Sequence, residues 1–187
     1  ITQPKDEPLT TFFKTWLNTY KPNISKNTRA RYEDTLRTLE DFFNNKSLQQ
    51  LNKRDYQHFL NEYGKDHARS TSKKLNSHVR ACVKDAIDEG IIRNDFTRKA
   101  VITGEKEKRA EEKHLHFEES ELLLNYLYSN LESGSIIYLL LLALTSGMRF
   151  GELVGLQRED FNFFNSTINI NKTWGYTNKT PIGFGTT

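Results

Sequence analysis

Apolar residues recur at helical spacing through the first ninety positions. Leu9, Phe12, Phe13, Trp16, Leu17 and Tyr20 fall at i, i+3, i+4, i+7, i+8 and i+11, which is one face of a helix. Tyr32, Leu36, Leu39 and Phe43 mark a second, with Ser25 or Asn27 as its N-cap. Tyr56, Phe59, Leu60 and Tyr63 mark a third, ended by Gly64. Leu75, Val79, Cys82, Val83, Ala86 and Ile87 mark a fourth, capped by Ser70 or Thr71 and stopped at Gly90. The aromatic residues on these stripes read as core. From Thr103 to Lys113 only Ala110 is apolar, so this run cannot bury a face and is expected to form a solvated strap. After it, Phe117-Glu118-Glu119-Ser120-Glu121-Leu122-Leu123-Leu124 opens an amphipathic helix reaching about Asn130. The run Ile136 to Leu144 is apolar on every side, which predicts a helix buried at a domain centre. Thr167 to Asn171 alternates like a strand, with Lys172-Thr173-Trp174 as the start of its hairpin partner. The pattern predicts a mainly α protein in three parts: a helical domain at 1–102, a charged linker at 103–115, and an α+β segment at 116–187.

Composition narrows the class. A chain of 187 residues with 36% hydrophobic and 27% charged positions fits one domain or two small ones. Its longest apolar run is far short of the roughly twenty residues that a membrane span needs, so no membrane partner is expected. The N-terminus has neither the basic head nor the apolar stretch of a secretory signal. The single cysteine, Cys82, excludes an internal disulfide framework and a cysteine-rich zinc site, and suits a reducing cytoplasm. Its place on the apolar stripe makes it a packing residue. His114-Leu115-His116 offers two imidazoles without further ligands and reads as polar surface, so no metal is expected. A start at Ile1, a sole methionine at Met148 and a polar Gly/Thr end read as a piece of a longer protein.

Charge separates the two halves. Residues 1–113 carry 23 Lys and Arg against 17 Asp and Glu, a net of +6, and residues 114–187 carry 4 against 7, a net of −3. A basic half points to an anionic partner. On the fourth helix Ser70, Lys73, Ser77, Arg80 and Lys84 share the side opposite the apolar stripe, with Lys74 beside them. Such a ridge can neutralise phosphates, while the helix start at Arg69-Ser70-Thr71 would offer backbone N–H groups to one more. The second helix also opens basic and polar, at Lys26, Asn27, Thr28 and Arg29. Its later face is mixed with Glu33, Asp34 and Asp41, so only that first turn is a candidate contact. A solvated basic face is the alternative reading of both.

The sharpest string is Leu-Thr-Ser-Gly-Met-Arg-Phe-Gly-Glu-Leu at 144–153. A helix that stops at Gly147 can hold the next side chain rigidly at a surface. Arginine is permanently charged and forked, so Arg149 can grip two phosphate oxygens where negative charge grows during attack at phosphorus. Glu152, one turn later, is an accessory group that can orient Arg149 through a carboxylate bridge. The alternative is an ordinary i, i+3 surface pair.

That string resembles the first arginine box of the tyrosine recombinases, the phage-integrase family. The layout around it is most similar to integrases of Gram-positive phages and conjugative transposons. The resemblance implies a four-helix, SAM-like core-binding domain followed by the first part of a catalytic domain with a small antiparallel hairpin. It implies a DNA-cutting and rejoining enzyme that forms a 3′-phosphotyrosyl link, with no cofactor and no small-molecule substrate. Its partners would be double-stranded attachment or core sites and other protomers of a recombination tetramer, in a bacterial cytoplasm. The family also uses a hairpin lysine, a His-x-x-Arg box and a late tyrosine. None of the five histidines is followed by Arg at the third position, and Tyr176 comes too soon after Arg149 to be the nucleophile. Lys172 and Lys179 lie on the expected hairpin, but the family lysine usually comes later, in a Thr-Lys pair. The chain by itself is therefore expected to bind DNA without cutting it. The competing classes are a non-catalytic DNA-binding regulator of the same fold and a helical protein-interaction module.

Overall fold

The first four stripes fold as α1 (Leu9–Tyr20), α2 (Lys26–Phe43), α3 (Lys53–Tyr63) and α4 (Arg69–Asp88). The computed structural model describes residues 6–106, 113–175 and 179–183, and it divides into two compact units, Ile1–Lys108 and Arg109–Thr187. In the first unit the apolar faces meet in one core, where Leu9, Phe13, Leu39, Tyr56, Leu60, Val79, Cys82 and Val83 are wholly shielded from solvent. The polar ends of its two largest wholly buried aromatic residues, Trp16 and Tyr56, are satisfied. Trp16 Nε1 donates to Asp85 Oδ2 at 2.5 Å, and the Tyr56 hydroxyl donates to Asn76 Oδ1 at 2.9 Å. Burial pushes the Cys82 thiol far up, as its packing role requires.

The caps show how the helices start. Ser25, and not Asn27, caps α2, its Oγ accepting from the Thr28 N–H at 3.2 Å. Asn52 and Asp55 close α3 reciprocally, since Asn52 Oδ1 accepts from Asp55 N–H while Asp55 Oδ2 accepts from Asn52 N–H. At α4 the expectation of Ser70 or Thr71 as cap is corrected. The helix begins at Arg69, and Ala68 holds the cap position without a side-chain acceptor. The missing acceptor is supplied by another stretch of backbone. Arg69 N–H donates to Glu105 O, and Glu105 N–H to His67 O, each at 3.0 Å.

This bridge also corrects the start of the strap. Val101 N–H donates to Gln57 Oε1 at 2.8 Å while Gln57 Nε2 donates back to Val101 O at 2.9 Å, and Thr103 Oγ1 donates to Leu60 O at 2.6 Å. Gly104, at φ 143°, passes so close to α4 that a Cβ would lie 2.6 Å from Arg69 N. Residues 103–105, expected in the 103–115 linker, are thus fastened to the first unit. Residues 107–112 of that linker lie outside the described residues. A polar composition reports where side chains go and is silent about the backbone pairing that docks this segment.

The second unit contains α5 (Phe117–Ser129), α6 (Ser135–Ser146) and α7 (Phe150–Gly155), then β1 (Phe161–Asn162), β2 (Thr167–Ile168), β3 (Lys172–Gly175) and β4 (Thr180–Gly183). The strands form two separate antiparallel pairs, β1–β2 and β3–β4. The segment at 167–171 therefore pairs backwards onto Phe161–Asn162 and not forwards onto Lys172–Trp174. Within α6 only Ile137 is buried, and Ile136, Tyr138 and Leu140 are exposed. The expectation of a centrally buried helix is not met, because among the described residues too few elements surround it. β3 packs on α7, and a Cβ on Gly155 would lie 3.0 Å from the Thr173 carbonyl carbon, so the close approach needs glycine there. No helix among the described residues is long and apolar enough to cross a membrane.

Candidate functional site

The polar side of α4 forms the wall between two open depressions of the first unit. One, of about 710 Å³, is lined by Arg69, Ser70, Lys73, Lys74, Ser77, His78 and Ile102. The other, of about 510 Å³, is lined by Lys73, Asn76, Ser77, Arg80, Ala81, Lys84, Ala100 and Ile102. The helix thus gathers all five expected cations, because residues three, four and seven apart share one side. Among the described residues no carboxylate lies within ion-pair distance of Arg69, Lys73, Lys74, Arg80 or Lys84. Five cations against the two carboxylates Asp85 and Asp88 on twenty residues of helix leave a net positive field for an anion.

Two details of the expected site differ. Arg69 N–H is taken by Glu105 O, and Thr71 N–H is taken by Ala68 O at 2.9 Å. The start of α4 is therefore a weaker anion cradle than its sequence implies. Ser77 Oγ donates into its own helix, to Lys73 O at 2.9 Å, so it faces a ligand as an acceptor.

The first turn of α2 is less available. Thr28 is tied to the Ser25 cap, and Arg29 is held by Asn18 and by Glu33 at 3.4 Å. Lys26 and Asn27 are exposed on that turn. The α2 residues that line a cleft with α4 are Arg31, Asp34, Thr35 and Thr38, together with Tyr63, Thr71, Lys74, Leu75 and His78. Sequence reasoning missed Arg31, His78 and Ile102. The first two sit at the seam between polar and apolar faces, where a stripe argument assigns nothing, and the third arrives from the docked strap.

In the second unit α6 ends at Gly147, whose φ of 67° is left-handed and whose N–H donates to Ala143 O at 3.1 Å. Two residues on, Arg149 holds the cap position of α7. Glu152 accepts from Arg149 twice, at 3.0 Å from the backbone N–H and at 3.0 Å from the guanidinium. Those donors hold the Glu152 carboxyl below the usual carboxylate range. The pair is lopsided: the Glu152 side chain is 14% exposed and the Arg149 side chain 87%. The carboxylate grips one edge of the fork, while the rest of the guanidinium faces outward.

Lys172 is turned inward. Its Nζ reaches Asp160 Oδ1 at 2.9 Å and Gln157 Oε1 at 2.8 Å, and Asp160 raises its pKa. It fastens β3 to the turn before β1. Lys179 is exposed, and Tyr176 lies outside the described residues. The rings of His114 and His116 meet edge to face at 5.3 Å, with His116 at the start of α5.

Comparison with known proteins gives these features a context. Residues 9–63, spanning α1 to α3, match the family described as phage integrase, N-terminal SAM-like domain. The N-terminal domain of the Prophage pi2 protein 01 (integrase) from Lactococcus lactis is similar at 33% identity, over 54% of this chain and 97% of that one, with a TM-score of 0.52. The Tn1549 transposon integrase, solved in complex with a circular intermediate DNA, is similar in fold at 17% identity and a TM-score of 0.78, over 96% of this chain and 58% of that one. A lambda integrase dimer bound to a COC′ core site is similar in fold at 15% identity and a TM-score of 0.70, over 97% of this chain and 49% of that one. The chain thus spans about half the length of these two integrases. No curated protein matches its sequence. The mainly α fold, with a SAM-like helical domain ahead of a catalytic-domain segment, is that of the integrases. By its likeness to a relative covered almost end to end, the chain belongs to the phage integrase family, the tyrosine recombinases.

Proposed function

We propose that this chain is the DNA-binding and phosphate-activating part of a site-specific recombinase that integrates a phage genome or another mobile element. The observation that carries the reading is the α4 ridge, with five cations and no paired carboxylate among the described residues. A long basic helix face suits the groove and phosphates of a duplex, and each cation that meets a phosphate releases a counterion. The Tn1549 and lambda relatives were solved on DNA, and another lambda structure is a tetramer on a Holliday junction. Duplex core sites and further protomers are accordingly the partners proposed here, in a bacterial cytoplasm.

Arg149 is assigned to the scissile phosphate and Glu152 to holding it there. In the reaction a tyrosine hydroxyl attacks phosphorus, the 5′-oxygen leaves with a proton, and the 3′-phosphotyrosyl link keeps the bond energy for rejoining. Charge builds on the non-bridging oxygens, and a guanidinium fixed in advance by Glu152 meets it without rearrangement. No His-x-x-Arg string occurs in these 187 residues and Tyr176 comes too soon after Arg149 to be the nucleophile, so binding and charge stabilisation are the parts proposed for this segment.

The test is duplex binding as a function of salt. The chain should bind with a steep negative log–log slope, and Lys73→Ala with Arg80→Ala should weaken binding and flatten that slope by about one to two units. A slope untouched by the double substitution would remove α4 from the interface.

A further inference from the structure

Lysine and arginine donate hydrogen bonds and cannot accept them. A ridge made of them grips phosphates and the acceptor edge of guanine, and it cannot accept from the amine of an adenine or cytosine. His78, on the flank of α4 that faces α2, is chemically different. Its ring stacks on Tyr32, with centroids 3.9 Å apart and planes at 25°, and its Nδ1 lies 2.9 Å from Thr35 Oγ1. The Thr35 hydroxyl has one hydrogen, which Arg31 O, 3.1 Å away, can accept and cannot supply. With that hydrogen on Arg31 O, Oγ1 accepts from His78, which places the ring proton on Nδ1 and leaves a lone pair on Nε2. Burial, with the Arg31 charge adding to it, lowers the pKa of the ring and favours the neutral form. Among the described residues Nε2 has no hydrogen-bond partner. The same ring lines both the depression that holds Lys73 and the cleft that holds Arg31.

We propose that His78 is a base-reading residue, its Nε2 accepting a hydrogen from the exocyclic amine of an adenine or cytosine in the major groove. The stack on Tyr32 and the bond to Thr35 hold it in one orientation, which flexible lysines lack, so it selects an amine-bearing base that the donor-only ridge cannot. This rests on the α4 ridge being the DNA face. In the major groove those two amines are the donors that a lone pair can select, against the acceptor edges of guanine and thymine.

The experiment uses the whole chain and a duplex selected from a random pool. Each adenine in turn is replaced by purine riboside and each cytosine by its 4-deamino analogue, which delete the amine alone. Wild type should lose about five- to a hundred-fold in affinity at one position. His78→Phe keeps a ring on Tyr32 and should bind the parent duplex as weakly as wild type binds that analogue, with no further loss on the analogue and an unchanged salt slope. Should His78→Phe fail to fold, the wild-type series still decides: no position with more than a twofold loss overturns the proposal. Equal losses in wild type and His78→Phe overturn it too. A wild-type chain with no salt-dependent duplex binding defeats the ridge itself, a result distinct from either.

Discussion

The two units solve different problems with the same kind of helix. In the first, every apolar stripe finds an opposing stripe, and large residues such as Trp16, Tyr56 and Phe59 lose nearly all contact with water. Its proposed function rests on what remains outside, a set of α4 cations with no ion-paired carboxylate among the described residues. In the second, Leu127, Ile137 and Leu153 are the buried apolar side chains among the described residues, while Phe117, Leu122, Tyr126 and Leu140 stand in solvent. Its proposed function rests on one guanidinium fixed locally by one carboxylate. Binding can be spread over many replaceable charges, whereas stabilising a transition state concentrates on a single placement.

That contrast is broken most strongly at Arg149. In a full-length recombinase carrying this segment, Arg149→Ala should lower the rate of strand cleavage on a nicked suicide duplex by about a hundred- to a thousand-fold. Half-site affinity should change by less than about threefold. Lys73→Ala with Arg80→Ala should show the reverse pattern, with affinity lost and cleavage of saturated substrate retained. Cleavage that survives Arg149→Ala would remove the charge-stabilising role and leave the pair as a helix cap.

The next effect separates the cores. Leu39 has no exposure, so Leu39→Ala should cost the first unit about 2–5 kcal/mol. Leu140 lies on α6 but is 43% exposed, so Leu140→Ala should cost the second unit less than about 1 kcal/mol. Trp16 reports the first unit and Trp174 the second, so urea titrations of single-tryptophan variants read the two separately. A comparable loss at both positions would mean that α6 is as well packed as α2.

These outcomes trace back to what could be read from the chain. The four stripes of the first unit were legible because each helix buries one face against others within the same ninety residues. Leu-Thr-Ser-Gly-Met-Arg-Phe-Gly-Glu-Leu was legible because glycine, arginine and glutamate each answer a local demand: a left-handed stop, a fork and a cap. The burial of α6 was not, since an all-apolar sequence states a need for cover and does not show that cover exists. The β1–β2 pairing was missed for another reason. Asn162 Oδ1 accepts from Phe164 and Asn165 N–H at 3.1 and 3.3 Å, a turn that returns the chain before the alternating segment begins. The docked strap and the tautomer of His78 depend on backbone and hydroxyl bonds between distant positions, which no periodicity records.

The smallest effect concerns the lysine that is turned inward. Asp160 is nearly buried, which by itself would raise its pKa, yet the Gln157 N–H at 2.7 Å and Lys172 at 2.9 Å outweigh burial and leave it lowered. A carboxyl with a lowered folded-state pKa stabilises the fold above its unfolded value of about 3.9, and that contribution disappears as pH falls through the folded value. Lys172, raised by Asp160 first of all, contributes below its unfolded value of about 10.4 and loses that as pH rises through its own folded value. The Trp174-reported stability of the second unit should therefore decline on acidification from pH 5 to pH 3, and Asp160→Asn should make that decline shallower while lowering stability at pH 7. Trp16-reported stability of the first unit should be unchanged by the substitution at every pH. An acid limb as steep in Asp160→Asn as in wild type would show that the Lys172–Asp160 bond contributes nothing to holding β3 beside α7. The hairpin would then owe its position to the close packing of Gly155 against Thr173 alone.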